Sequence, residues 1–257
     1  PYFEIVFLPL MLPAAFLSGI SPMLTWKKAD LSIILHRIIT LILISIIITL
    51  IIFWIYGGSL LTFISLAISF WIIVSIFNDL FYRLKIEDKS INRIFKRARF
   101  WPKSIYGMFL AHIGVAIFIL GVTVSGSWKE SFEGILKLKE TIVISKYKVT
   151  LDEILYEDEK NWSAQKGYFK VESIKKNFSM VAERRLYNDT GMPTTEAAIY
   201  SNFFNHLYIV IGDEQPANSG LRIVRIYYNP MVSFIWIGAI IMAIGGLVAL
   251  CDNRLRQ

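Results

Sequence analysis

Residues 104–126 read SIYGMFLAHIGVAIFILGVTVSG. At 1.5 Å per residue this run makes a helix of about 35 Å, long enough to cross ~30 Å of hydrocarbon. It holds a single ionisable side chain, His112. A basic segment precedes it and a charge-balanced segment follows it, so the run marks a boundary as well as a span. The reading of this stretch as a transmembrane helix decides the fold class, and His112 is its one chemical anomaly.

Four further apolar runs lie outward from it: Phe3 to Leu24, Ile38 to Tyr56, Leu60 to Leu80 and Met231 to Cys251. Each is of spanning length. Pro9 and Pro13 sit inside the first and predict a kink. The expected architecture is an integral membrane α-helical protein with five transmembrane helices. A small β-rich domain is inserted between helices four and five. The division expected is 1–103 (three helices and a basic segment), 104–126 (helix four), 127–230 (the exterior domain) and 231–257 (helix five and tail).

The loops set the orientation. Lys27, Lys28 and Arg37 lie between the first two runs. Arg83, Lys85, Lys89, Arg93, Lys96, Arg97, Arg99 and Lys103 lie between the third and fourth, and Arg254 and Arg256 follow the fifth. With five alternating spans these fall on one side, which the positive-inside rule makes cytoplasmic. Residues 127–230 then lie outside; they carry 14 Lys and Arg against 14 Asp and Glu. The formal charge of +7 therefore comes from the inner loops. It reports topology rather than a nucleic-acid footprint, and no nucleic-acid partner is expected.

The whole chain of 257 residues is 55% hydrophobic and 18% charged, with a mean hydropathy of +0.52. It begins at Pro1 directly in an apolar run, without a signal-peptide pattern. It therefore reads as part of a longer polypeptide or the product of a split gene. The single cysteine, Cys251, excludes an internal disulfide and reads as an apolar filler. No phosphate loop, G-x-S-x-G, H-E-x-x-H or CxxC is present, so soluble hydrolase, kinase and zinc-site readings have no support.

The exterior segment is rich in β-branched residues at Thr141–Leu151, Tyr168–Ile174, Phe178–Tyr187, Leu207–Ile211 and Leu221–Tyr228, each predicted as a strand. Glu157–Lys166 is predicted as a polar loop around Trp162, and Thr194 as the N-cap of a short helix through Glu196, Ala197 and Ala198. The domain is expected to complete its core against the membrane or a partner. Three N-x-S/T patterns, at Asn161, Asn177 and Asn188, read as chance matches.

Among the candidate site residues, His112 comes first. It shares a helix face with Met108, Val115, Ala116 and Ile119, beside a stripe of Gly107, Ala111 and Gly114 that permits close helix packing. The residues leave two readings open. One is a neutral histidine hydrogen-bonded across helices. The other is an axial haem ligand, with the small residues making room for the macrocycle. His36, beside Arg37, reads as interfacial, and His206, in NFFNHLYIV, as a strand or loop residue. Gly238, Ala239, Met242, Ala243, Gly245 and Gly246 form a second small-residue surface, expected to pack tightly against helix four. Trp54, Trp71, Trp101, Trp128 and Trp236 read mostly as interfacial anchors, and Glu4 and Asp79 as edge positions. Residues 83–103 read as an amphipathic segment on anionic lipid, with Ile91, Ile94, Phe95 and Phe100 as apolar contacts.

Four segments together resemble the C-terminal part of the CcmF family, the haem lyase component of cytochrome c maturation. They are PYFEIVFLPLMLPAAFLSGISPMLTWKK at 1–28, MFLAHIGVAIFILGVTVSGSW at 108–128, VAERRLYNDTGMPTTEAAIYSNFFNHLYIVIGDE at 181–214 and VRIYYNPMVSFIWIGAIIMAIGGLVALCDNRLR at 224–256. The resemblance implies a protein of the bacterial inner membrane, or alternatively the mitochondrial inner membrane. It implies haem received from the chaperone CcmE and attached to apocytochrome c with the help of CcmH. It also implies a b-type haem held by two transmembrane histidines, and His112 looks like one of them. The family's tryptophan-rich WWD segment, its two flanking outward-facing histidines and a second ligand for the b haem have no counterpart here. This chain by itself is therefore not expected to complete haem attachment. A transporter fragment and a non-catalytic structural subunit are the rival readings.

Overall fold

In a computed structural model, residues 2–23, 31–84, 99–174, 176–189, 191–216 and 219–252 are described. Lys27, Lys28, Lys85, Lys89, Arg93, Lys96, Arg97, Arg254 and Arg256, and the amphipathic contacts Ile91, Ile94 and Phe95, lie outside the described residues. The chain divides into a helical unit, residues 1–127 with 233–257, and a β unit, Trp128–Val232.

The helical unit contains α1 (Tyr2–Ile20), a 3-10 turn (Ser21–Met23), α2 (Leu31–Tyr56), α3 (Leu60–Leu84), α4 (Lys103–Ser127) and α5 (Val232–Leu250). Among the described residues, four helical stretches can cross a membrane by length and composition: Ile34–Tyr56, α3, α4 and α5. The apolar stretch of the first helix, Pro9–Met23, is shorter. The described residues thus hold four to five apolar helices, four of them of full spanning length, against the five spans expected. Leu43, Ile47, Leu50 and Trp54 on α2, and Trp236 and Leu247 on α5, are exposed apolar side chains suited to lipid contact.

The helix α3 is the hub. It buries Thr62, Leu66, Ser69, Ile72, Ile76 and Asp79, spaced three and four apart, so one face is continuous. Around it Met23, Leu41, Ile68, Trp71, Phe109 and Ala116 close a core with side chains from α1, α2 and α4. The α2–α3 turn is fixed by Gly57 and Gly58, whose φ values of +67° and +142° suit glycine. Ser59 then caps α3 reciprocally: its hydroxyl accepts from the Thr62 amide at 3.2 Å, and its own amide donates to Thr62 Oγ1 at 3.2 Å.

Trp71 departs from the interfacial reading. It is 2% exposed, its Nε1–H donates to the Phe16 carbonyl at 2.9 Å, and its ring stacks on Phe16. Ser75 donates to the Gly19 carbonyl beside it. In hydrocarbon no water can take those carbonyls, so α3 side chains hold the end of α1. Cys251 is exposed rather than a filler of the interior.

The β unit is two antiparallel sheets around one core. Its strands are β1 (Glu130–Leu136), β2 (Thr141–Ile144), β3 (Tyr147–Asp158), β4 (Trp162–Ser173), β5 (Asn177–Tyr187), β6 (Pro193–Glu196), β7 (Ala198–Ser201), β8 (Asn205–Glu214) and β9 (Arg222–Pro230). They run β1-β9-β8-β7 in one sheet and β2-β3-β4-β5-β6 in the other. Alternate residues point inward: Asn205, Leu207, Ile209 and Ile211 of β8 are buried, as are Tyr147, Val149 and Leu151 of β3. These meet Phe169, Val171, Val224 and Ile226 in a single cluster. The sandwich thus closes its own core, contrary to the expectation that a membrane or partner completes it.

Three local readings are also corrected. Residues 141–151 are a hairpin of β2 and β3 rather than one strand, because Ser145 turns the chain at φ +49°. The expected loop around Trp162 is strand: β4 begins there, and Arg185 lies over the indole at 4.6 Å. The expected helix after Thr194 is β6 and β7, with Thr194 paired to Arg185. Ladder pairing to β5 and β8 outweighs the local cap signal.

Candidate functional site

His112 lies nine residues into α4, about 14 Å along a helix of about 37 Å. Three contacts fix that helix. At its start, the Ser104 amide donates to Asp252 Oδ2 at 2.9 Å. A carboxylate just beyond the end of α5 thus caps the positive end of α4, and Asp252 is 5% exposed there. Along one face, Ser69 of α3 donates to the Ala116 carbonyl at 2.8 Å. At the far end Thr62 and Ser127 share a hydroxyl–hydroxyl bond of 2.8 Å.

The opposite face is a glycine seam. A side chain at Gly107 would strike the Gly245 carbonyl and Ala249, and one at Gly114 the Gly238 carbonyl and Met242. At Gly121 it would strike Phe234 and Ile235. The two helices run antiparallel with backbones in near contact, the arrangement that glycine allows in a bilayer. The expected packing of the two small-residue surfaces is therefore observed. The expected room for a macrocycle on the Gly107–Gly114 stripe is not, because α5 fills it. Gly246 faces open space.

His112 stands about 160° round α4 from that seam, at 100° per residue. It is half-buried. Its Nδ1 lies 2.8 Å from the Met108 carbonyl. A carbonyl only accepts, so Nδ1 carries the proton and donates. Nε2 has no hydrogen-bond partner among the described residues. A histidine whose Nδ1–H is held by a backbone carbonyl has its ring oriented and its Nε2 lone pair set for a metal. The neighbours Met108, Val115 and Ile119 are half-buried against the helical core. The environment around the ring is therefore apolar and helps exclude water.

No cluster of three metal-ligating side chains exists among the described residues. His36 is on α2 with Nδ1 3.0 Å from the Ser32 carbonyl, and His206 belongs to the β unit, on β8 opposite Asn229. The donor set available to a haem iron here is one imidazole. That fits one axial position and leaves the other to a group outside the described residues.

Sequence reasoning missed several polar residues that the fold recruits. Asp252 caps α4, and Asp79, read as an edge residue, is 6% exposed and paired with Arg83 at 2.6 Å. In the sandwich Arg222 is 2% exposed, donating to Glu214 at 3.1 Å and to the Tyr156 hydroxyl at 2.6 Å. Tyr147, also buried, donates to Asn205 Oδ1 at 2.7 Å, and burial pushes its phenol above the usual range. Asp79 and Arg83 stand at the i,i+4 spacing that could have signalled their pairing; the Asp252–Ser104, Arg222–Tyr156 and Tyr147–Asn205 contacts join residues distant in sequence and carried no such signal.

Residues 127–230 match the family described as "CcmF C-terminal beta-sandwich". The cytochrome c-type biogenesis protein CycK of Bradyrhizobium diazoefficiens is 30% identical over 259 residues, covering 100% of this chain and 39% of that protein. The cytochrome c-type biogenesis protein CcmF of Escherichia coli is 29% identical over 260 residues, covering 100% of this chain and 38% of that protein. A solved structure titled "Cytochrome c Heme Lyase CcmF" superposes with a TM-score of 0.70 at 17% identity, over 98% of this chain and 40% of that one. That likeness is one of fold. The chain spans about two fifths of the length of the curated relatives it matches. Carrying the family's sandwich at 127–230 between apolar helices, it corresponds over its whole length to the C-terminal part of the CcmF family of cytochrome c-type biogenesis proteins.

Proposed function

We propose that this chain is the C-terminal module of a haem lyase for cytochrome c biogenesis, and that His112 is one axial ligand of a b-type haem within the membrane. The observation that carries the ligand role is the Nδ1–Met108 bond, which leaves Nε2 without a partner among the described residues. When bound, such a haem supplies one-electron redox chemistry that keeps the haem to be attached in its ferrous form.

The chain's own residues do the positioning. The Met108 carbonyl fixes the tautomer and tilt of the imidazole. Asp252 and the glycine seam fix the depth and rotation of α4. The surrounding Met108, Val115 and Ile119 keep the ring in an apolar setting. The second ligand and the chemistry of attachment belong to parts of the complex outside this chain. On this reading the chain alone does not attach haem.

The alternation of α2 to α5 orients the module whether or not α1 spans. The basic stretch before α4 and the tail share the cytoplasmic side of a bacterial inner membrane, with 127–230 periplasmic. A mitochondrial inner membrane gives the same arrangement. The sandwich, neutral in net charge and closed in core, is the part available to CcmE, CcmH or apocytochrome c.

The test is the absorption spectrum of the complete purified complex with and without His112→Ala. The expected result is loss of the low-spin b-type bands with the complex still assembled, and partial recovery with added imidazole. An unchanged low-spin spectrum in the variant refutes the ligand role. Labelling of Lys160 from the cytoplasmic side alone refutes the orientation.

A further inference from the structure

Both connections between the sandwich and the apolar helices leave from one end of it. Helix α4 ends at Ser127 and β1 begins at Glu130, while β9 ends at Pro230 and α5 begins at Val232. Glu130 pairs with Tyr228 and Asn205 with Pro230, so the start of β1, the end of β9 and the start of β8 lie side by side. The second sheet is aligned with them. The Tyr147 hydroxyl donates to Asn205 Oδ1 at 2.7 Å, and the Ser145 amide donates to Glu130 Oε2 at 2.8 Å. Three turns therefore share this end: β2–β3 at Ser145, β4–β5 just beyond Ser173, which pairs with Tyr147, and β7–β8 between Ser201 and Asn205. With two residues joining α4 to β1 and one joining β9 to α5, the chain cannot carry this end more than about 11 Å from the helix ends, whatever the angle between them.

Two of those turns present large apolar side chains. Ile174 in the β4–β5 turn is 96% exposed, and Phe203 and Phe204 in the β7–β8 turn are 56% and 62% exposed. The two phenyl rings meet edge to face at 4.9 Å. Their turn is braced from within. Asn202 Oδ1 accepts from the Phe204 and Asn205 amides at 2.9 Å each, and the Phe204 carbonyl accepts from the Met231 amide at 2.7 Å. The rings thus stand out from a fixed backbone, beside the residue that leads into α5. Lys129, Lys146 and Lys176 are exposed at the same end. The opposite end exposes Leu138 and Met192, but its turns also carry Lys139, Glu159 and Lys160. Exposed aromatic and branched side chains with lysines around them, at the level where the chain enters hydrocarbon, fit the boundary between lipid head groups and acyl chains. Lysine suits that boundary because its stem lies along the apolar layer while its ammonium reaches the phosphates.

We propose that this end of the sandwich is a lipid-contact surface. Ile174, Phe203 and Phe204 insert into the head-group–acyl boundary of the leaflet on the sandwich's side, and Lys129, Lys146 and Lys176 meet lipid phosphates. The occupant is lipid because α4 and α5 are of spanning length and join the sandwich within a few residues of these turns. The contact does not complete the sandwich core, which closes on itself; it holds the sandwich down on the bilayer surface. It uses neither His112 nor haem, so it stands or falls separately from the proposed function.

The experiment is nitroxide accessibility, read by electron paramagnetic resonance on the full chain in phosphatidylcholine bilayers. Cys251 is the single cysteine, so Cys251→Ser gives a background for one label at a time. The labelled variants are Phe204→Cys, Ile174→Cys and, as the aqueous control at the opposite end, Met192→Cys. Oxygen concentrates among acyl chains, whereas a nickel chelate stays in water. The ratio of oxygen to nickel-chelate collision rates is expected to be at least fivefold higher at positions 204 and 174 than at 192. A ratio at 204 equal to that at 192 overturns the proposal. Position 174 lies in a separate turn, and an equal ratio there overturns it in the same way if the Phe204→Cys chain does not fold. Labels shielded from both reagents also overturn it and assign this end to a protein partner.

Discussion

Replacing Gly114 by alanine tests the seam on which α4 stands. A Cβ there would lie 2.6 Å from the Met242 amide nitrogen, 2.7 Å from the Gly238 carbonyl oxygen and 2.7 Å from Met242 Cγ. Ordinary contacts begin at 3.4 Å, so the helices must part by about 0.8 Å. A gap of that size forfeits a quarter to a half of the dispersion energy of each contact along the seam. Overpacking costs about 1–3 kcal/mol, and backbone atoms cannot rotate away, which puts this case near ~3 kcal/mol. Alanine's better helix propensity returns ~1 kcal/mol, for a net loss of about 2 kcal/mol. Gly246→Ala is the control: nothing lies within 4 Å of its added methyl, so it should be neutral or gain up to ~1 kcal/mol. The assay is the unfolding free energy of both variants by denaturant titration in detergent micelles. If Gly114→Ala is as stable as Gly246→Ala, the backbone contact between α4 and α5 is not as described and the reasoning fails.

Two other outcomes follow from the packing. Gly19 touches Trp71 so closely that a Cβ would sit 2.0 Å from the indole nitrogen. Gly19→Ala should therefore destabilise wild type by about 2 kcal/mol but cost little beside Trp71→Ala, and a double-mutant cycle should return a coupling above ~1 kcal/mol. In the sandwich, Lys139 and Lys170 hold the Asp152 carboxyl below its ordinary range through direct ion pairs. A folded pKa lowered relative to the unfolded one stabilises above the unfolded value and loses that contribution as pH falls through the folded value. The melting difference between wild type and Asp152→Asn should accordingly be constant above about pH 5 and shrink toward zero below about pH 3. A difference that grows on acidification would contradict the ion pairs.

Hydropathy alone marked the spans, because a bilayer imposes length and apolarity on each helix separately. It also made His112 visible, since a lone imidazole in such a run stands out whatever surrounds it. The glycine-rich faces of α4 and α5 were legible for the same local reason. β-Branched runs marked six of the nine strands but missed β1, β6 and β7, and they joined β2 to β3 because the turn at Ser145 has no glycine or proline to betray it. What the sequence could not distinguish was which apolar face meets lipid and which meets protein, since lipid tails are as apolar as leucine. Trp71 and Trp236 look alike in sequence, yet one is 2% exposed and the other 68%. The tertiary structure likewise filled the glycine stripe with α5, set Asp252 on α4 and left Asn78 without a donor. These are relations between segments far apart in the chain. The sequence by itself determined which segments are helix, which are sandwich and which histidine is exceptional; only the packing decided what each of them touches, because contact depends on where two segments meet and not on the composition of either.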